Sequence, residues 1–514
     1  MDESELTKPR RILPRWRKLA LTPTTEMRGS EQARSEIHSS ARRELERSLR
    51  EWHAQPDLIS AAEVADAVSL AGQDVRANSA LEFFRSSSTQ KIAYAALPSS
   101  YGDDTLYSTI RKLKVRLRRQ PLDAIAAIEL ARNYTLIGQL TPAAKAAERA
   151  LKAAPEDRFV LRSAARFFVH QGDLARAYRA ITKSNLVRVD PWIMSTEVAL
   201  ADLLGRSPRW GISQIAGIAG SKRINRQYSE LASALGMLEI SSGNRKRARR
   251  LIARSLDNPT ENAVAQAQWM DRSDKLQVDY PNNLLEREDM HEARVLHSLD
   301  TGEVSVGVES VERWFLDEPY SVRAAAHGSF ISLALARDYE AGLGFADRGL
   351  VANPSSFMLQ NNRAFALAKL GRVEEAEIAL SKIKPPSKSV EAMYRDGLEG
   401  LVRFKKGDLE LGRHFYMESI FKAKDAENYP VLLSALMHWF EQEFEAGTID
   451  RETAVDLVKN IDMSLARNKR DFDMSLRRSW DMIKASTICK EQNQNRKVLG
   501  SYKGVEFFVP ADLF

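Results

Sequence analysis

A short turn signal recurs along this chain at a nearly fixed interval, and that interval restricts the fold more than any other feature. Gly138, Gly172, Gly205, Gly243, Gly302, Arg337, Gly371 and Gly407 each follow a run of apolar residues at helical spacing. The step from Gly138 to Gly172 is 34 residues, as are the steps from Pro121 to Pro155 and from Arg337 to Gly371. Gly302 to Arg337 is 35 and Gly371 to Gly407 is 36. Such a period marks helical hairpins stacked one on the next, none of which buries its apolar face alone.

The residues around each turn agree. In "LARNYTLIGQL", Leu130, Ala131, Tyr134 and Ile137 fall three or four apart and share a helix face. Gly138 stops that helix, because glycine tolerates the left-handed conformation of a tight helix end. Ala143, Ala147, Ala150 and Leu151 line one side of a second helix. Small alanines let two antiparallel backbones approach closely, and Pro155 closes the unit because proline cannot continue a helix. Later segments keep the scheme with drift: Ala164, Ala165, Phe168, Gly172 and Ala177; Leu235, Gly236, Gly243 and Ala248; Ala364, Leu367, Gly371 and Ala376; Gly400, Gly407 and Gly412.

The period, the alanine positions and the turn glycines together resemble the tetratricopeptide repeat family over roughly residues 88–425. Two departures stand out. Ala127 and Leu161 replace the large aromatic residue common early in the family's first helix, and the stretches near Gly205 and 260–290 are irregular. The resemblance implies an all-α fold: a right-handed superhelical solenoid of antiparallel helix pairs, with a concave groove lined by the first helix of each pair. Within 260–290 the pattern predicts a helix through Trp269, then a polar loop carrying Pro281, Asn282 and Asn283.

The flanks differ. Residues 1–30 carry Pro9, Pro14 and Pro23 with little periodicity, and are expected to form a flexible, disordered basic arm. Residues 31–87 read as an N-terminal helical segment, with a charged helix over 31–52 and another opened by Ser60. Leu106, Ile110, Leu113 and Leu117 predict an amphipathic basic helix at the head of the array. Residues 426–499 read as C-terminal helices. The last stretch, 500–514, "GSYKGVEFFVPADLF", has the aromatic and β-branched content of a short extended tail. Phe507 and Phe508 would be costly to leave in water, so a covering surface is expected for them.

Composition narrows the class. The chain is 44% hydrophobic and 28% charged over 514 residues, the balance of a folded chain. No window is apolar enough for a membrane span, the N-terminus lacks a secretory core, and the single cysteine, Cys489, excludes an internal disulfide framework. These readings point to the cytoplasm. The net charge of +7 permits an acidic partner or nucleic acid without requiring either.

The residues carry no HExxH, no phosphate loop and no CxxC pair. The glycine cluster "GLGFADRG" at 342–349 lacks dinucleotide spacing and falls inside a repeat helix, where close helix packing explains it. His291 and His297 stand six apart, which does not place both on one helix face, so no metal site is expected. No cofactor and no catalytic residue is assigned.

Three features remain as candidate contacts. The arm "RRILPRWRK" places Arg10, Arg11, Arg15, Arg17 and Lys18 around Trp16 without an acid, a pattern suited to phosphates with a stacked base, or to a partner protein. Two helices, around Arg111–Arg119 and Arg245–Arg254, are almost wholly basic. The resemblance to the repeat family puts Arg132, Asn133, Arg162 and Arg166 on the inner surface of the early repeats, and Asn361 and Asn362 at comparable places later. Arginine forks suit carboxylates and asparagine amides suit a peptide backbone, although the same residues also serve as salt bridges between repeats.

The expectation is a non-catalytic scaffold or adaptor of bacterial type that holds a protein or peptide in its groove within a multi-protein system. The alternatives are a nucleic-acid-associated subunit using the basic arm and helices, and a regulator of a separately encoded enzyme.

Overall fold

The structure is a computed structural model. It describes residues 10–16, parts of 45–86, residues 106–449 with short gaps near 221–223, 275–281, 288 and 385–388, and parts of 457–488. Every element among the described residues is a helix or helical turn. None of these helices is long and apolar enough to cross a membrane.

All eight turn positions take the left-handed conformation. The seven glycines have φ between 64° and 85°, and Arg337, the one side-chain-bearing residue of the set, has φ 55°. The hydrogen bonds explain the demand. At the end of helix Arg158–His170, the N–H of Gly172 donates to Val169 and that of Asp173 to Phe168, satisfying two carbonyls the helix leaves unpaired. The same pair of bonds recurs at Gly243, Gly371 and Gly407. Each turn hands over to a new helix, often through a side-chain cap. Asp123, Asp157 and Asp173 each accept from the backbone N–H three residues on, at 2.9 Å. Turn and cap thus form one cassette, which is why the period survives where the rest of the sequence drifts.

The seam alanines do what their size allows. Ala127, Ala131, Ala143, Ala147 and Ala150 have no exposed surface, and helices Ala124–Leu136 and Leu140–Ala153 pack through them. Elsewhere glycine takes the same place. A Cβ added at Gly412 would fall 2.5 Å from the Phe404 ring, so helices Ser389–Lys405 and Leu409–Asp425 approach more closely than alanine permits. Gly342, in the cluster at 342–349, lies within helix Tyr339–Ala352, where an added Cβ would sit 2.4 Å from Leu333.

The chain divides into two compact units. The first comprises Met1–Ala293, Arg313–Ala324 and Arg348–Pro354; the second comprises Arg294–Glu312, Ala325–Asp347 and Ser355–Phe514. The division falls inside the stretch that the repeat pattern treats as one array. In the first unit, consecutive helices pack in pairs: Ala124–Leu136 with Leu140–Ala153, Arg158–His170 with Leu174–Thr182, and Arg226–Ser241 with Arg245–Ser255. The basic helix Leu106–Arg119 packs on Ala124–Leu136 and buries Leu106, Ile110 and Leu117, with Leu113 partly covered. In the second unit, Phe357–Lys369 pairs with Val373–Ser381, and Ser389–Lys405 with Leu409–Asp425. Tyr429–Glu445 continues the stack directly, with no break at 425. The irregular stretch holds helix Glu261–Asp274, which runs past Trp269, and a 3-10 turn at Asn282–Leu284. Of the expected helix over 31–52, residues 45–50 are described and helical.

Candidate functional site

The first unit holds a site whose occupant belongs to the same chain. Residues 10–16 lie against the first helices of successive repeats. The expectation of a disordered, solvated arm over 1–30 is therefore corrected for this segment, while Arg17, Lys18 and the rest of the arm lie outside the described residues. Pro14 forces Leu13 away from helical angles, and Arg10 to Trp16 carry no helix or strand assignment. A chain in this state has unpaired backbone groups, and the surface supplies their partners. Gln266 Nε2 donates to the Arg10 carbonyl at 2.9 Å, and Asn262 Nδ2 donates to the Leu13 carbonyl at 2.7 Å. Arg132 Nε reaches the Trp16 carbonyl at 3.4 Å, and the Trp16 N–H donates to Tyr320 Oη at 3.2 Å.

The side chains are sorted just as closely. Arg10 donates to both oxygens of Glu292 at 2.9 Å, to Gln266 Oε1 at 2.9 Å and to Asn262 Oδ1 at 2.6 Å. Arg15 binds Glu318 at 2.8 Å, pairs with Glu292, and stands 3.5 Å from Glu261. Arg11 pairs with Asp202. Ile12 joins an apolar cluster with Met194, Val198, Ile215 and Leu231. Trp16 has no exposed surface; its ring meets Phe167 edge-on at 6.0 Å and Tyr320 at 5.4 Å.

Three carboxylates, Glu261, Glu292 and Glu318, thus converge at 5% exposure or less. Carboxylates in such surroundings are stable only when paired. Apart from the arm, the cation against Glu292 is Arg323, at 3.6 Å. Burial alone would push the Glu292 carboxyl up, and the Arg10 and Arg15 guanidiniums overcome this and hold it well below the usual carboxylate range. The same balance acts on Arg15: burial works against its charge, and Glu261, Glu318 and Glu292 raise it nonetheless. The arm is the missing half of a buried charge cluster.

The expected groove residues divide by role. Arg132 and Arg166 belong to the Trp16 pocket: Arg132 through the Trp16 carbonyl, Arg166 with its guanidinium 5.3 Å from the centre of the Tyr320 ring. Arg162 ties repeats together instead, bonding Glu230 at 2.6 Å and the Trp192 carbonyl at 2.9 Å, with Trp192 under its guanidinium. Asn133 turns its amide to the Glu129 carbonyl of its own helix. Trp16, read as a surface for stacking a base, has no face left for one.

Sequence reasoning missed Asn262, Gln266, Glu292, Glu318 and Tyr320, most of them in or beside the stretch it found irregular. The signal was present in one place: Asn262 and Gln266 are four apart, hence on one face of a first helix, and an amide pair so placed suits a passing backbone. The basic helices are partly spent on stitching: Arg116 bonds Asp123, Arg249 the Leu276 carbonyl and Arg254 the Lys222 carbonyl.

In the second unit, Asn361 and Asn362 stand on helix Phe357–Lys369, beside a cavity described below. Nearby, Glu441 is 1% exposed and binds Lys369 at 2.7 Å, pairs with Arg337, and faces His438 Nδ1 at 3.4 Å. Burial would raise its carboxyl, and Lys369, His438 and Arg337 pull it well below the usual range. The same burial pushes the Lys369 ammonium down.

The sequence matches no protein-family model and no curated protein.

Proposed function

We propose that this chain is a non-catalytic scaffold of tetratricopeptide type, its helix pairs stacked as a right-handed superhelix, that binds an extended basic peptide of a partner protein on the first helices of its first unit. The observation that carries this reading is the arm itself. Side chains from several repeats meet its backbone carbonyls through Asn262, Gln266 and Arg132, and its arginines through Glu261, Glu292 and Glu318. That is peptide recognition in mode: amides fix an extended backbone, and charges and an aromatic pocket select side chains. The ligand it favours carries two arginines five apart with a tryptophan after the second. The resident arm competes with it, so apparent affinity for an outside peptide is lowered by the fraction of time the arm is docked. Work in the cytoplasm within a bacterial multi-component system fits this reading. The nucleic-acid alternative loses its principal element, because Arg10, Arg11 and Arg15 are already matched by carboxylates.

The test uses a fluorescent peptide of residues 8–18 and full-length chains. A chain carrying Arg15→Ala and Trp16→Ala should bind the peptide at least tenfold tighter than the unaltered chain. Adding Glu292→Gln should abolish that binding. If the arm-weakened, folded chain shows no binding, or if Glu292→Gln makes no difference, the groove does not recognise peptides this way.

A further inference from the structure

The second unit contains a cavity of about 340 Å³, bounded by the π-helix Ile331–Ala336 and by helices Phe357–Lys369, Ser389–Lys405, Leu409–Asp425, Tyr429–Glu445 and Met474–Ile488. Its walls are mostly apolar and aromatic, with Leu333, Met358, Phe365 and Tyr416 among them. Two polar atoms break that lining. Asn361 Oδ1 and Asn362 Nδ2 are shielded from solvent and have no hydrogen-bond partner among the described residues. A shielded amide atom left so costs about 1–3 kcal/mol, and a ligand that meets it recovers that amount. One of these atoms accepts and the other donates, which is the complement of a peptide group. The nearby charge on Glu441 is answered by Lys369 and Arg337, so the cavity selects a neutral occupant. The π-helix in the wall is a geometry that recurs at functional sites.

We propose that the cavity is the docking site of this chain's own C-terminal segment, Val505–Phe514, with a ring of the Phe507–Phe508 pair in the cavity and a flanking peptide group bonded to Asn361 and Asn362. The proposal is independent of the arm site in the first unit. Residues 489–514 lie outside the described residues, and three observations connect them to the cavity. The first is chemistry: "EFFVP" offers adjacent aromatic rings on a peptide backbone, with no basic residue from Val505 to Phe514. The second is reach. Ser479 of the cavity wall lies on the helix that ends at Ile488, about 14 Å along the axis at the α-helical rise. The residues between Ile488 and Phe507 span up to roughly 60 Å when extended, ample for a return. The third is solvation: two adjacent phenylalanines left in water forgo about 1.5–3 kcal/mol each of burial.

The decisive experiment places photoreactive p-benzoylphenylalanine at position 508 in the full-length chain and maps the cross-links by mass spectrometry. Cross-links within the same chain to residues 358–365 or 393–398 are expected. They should disappear with Gly397→Leu, which fills the cavity; an added Cβ at Gly397 meets only Ser419 Oγ, at 3.6 Å, so the helix packing is kept. Cross-links between two chains, or to other residues, or unchanged by Gly397→Leu, overturn the proposal. So does a small molecule that copurifies with the unaltered chain, is lost with Gly397→Leu, and leaves the cross-links elsewhere.

Discussion

Glu292 and Glu441 pose the same physical problem and receive opposite solutions. Each is a carboxylate nearly sealed from water in its own unit, and each is held ionised by cations. Glu441 draws its partners from neighbouring repeats: Lys369, Arg337 and His438, all from helices or turns that the stacking pattern brings together anyway. Glu292 draws two of its partners, Arg10 and Arg15, from a segment that is not a repeat at all and lies some 280 residues earlier in the chain. The first arrangement is a structural brace. The second is a docking contact, made by a piece that can leave without unstacking a helix.

The comparison breaks most directly by removing each carboxylate. Taking one partner from a buried ion pair costs about 3–5 kcal/mol. Glu441→Gln should therefore lower the unfolding free energy of the second unit by that amount, read from a shifted denaturant midpoint. Glu292→Gln should cost far less global stability and instead abolish hydrogen-exchange protection across residues 10–16. Equal losses of global stability in both variants would erase the distinction between brace and docking contact.

Acid sharpens it. His170 sits buried at the edge of the Tyr320 ring, and burial, aided by Arg166, lowers its pKa from 6.5 to about 3. Its folded pKa lies below the unfolded one, so the unfolded chain takes up the proton first. The stability this neutral histidine supports is complete above pH 6.5 and is lost as pH falls toward 3. Glu292 acts in the same direction lower down, its contribution present above its ordinary value of 4.5 and lost as pH falls below it. The first unit should thus weaken before the arm's charges are discharged. His170→Phe should flatten the slope between pH 6.5 and 4.5 in a pH-resolved melting series. An unchanged slope would assign that loss to other groups.

The smallest effect concerns the turns. Gly172 and Gly371 have no atom within 4 Å of an added Cβ, so alanine there meets only the left-handed backbone. Gly172→Ala and Gly371→Ala should each cost about 1 kcal/mol, one in each unit, with no effect on the arm. A loss of several kcal/mol at either would mean that the turn does more than reverse the chain.

These residues also show what was legible in the sequence and why. The turns were, because a left-handed helix stop is a local demand that glycine answers wherever it arises; even Arg337 stood in the right place by period alone. The seam alanines and the amphipathic face of Leu106–Arg119 were legible for the same reason. The arm was not. Its composition announces charge without a partner, and the partners are three glutamates scattered over residues 261–318, each unremarkable on its own helix. The groove residues fall between these cases. Periodicity could put Arg132 and Arg162 on first helices, but which one meets a peptide and which one meets Glu230 is decided by contacts between repeats.

The distance between Arg15 and Glu318 has a consequence in time. A ribosome releases the segment Arg10–Trp16 long before it has made the residues that hold it. At synthesis rates of about 5–20 residues per second, roughly 15–60 seconds pass before Glu318 follows. Throughout that interval the nascent chain displays an arginine-rich, tryptophan-bearing thread, and the early repeats stack without it. Closing so long a loop is slow compared with pairing adjacent helices. The arm is translated ahead of every repeat and docked after most of them, so a newborn molecule passes through a stage with its groove open before it becomes its own first ligand.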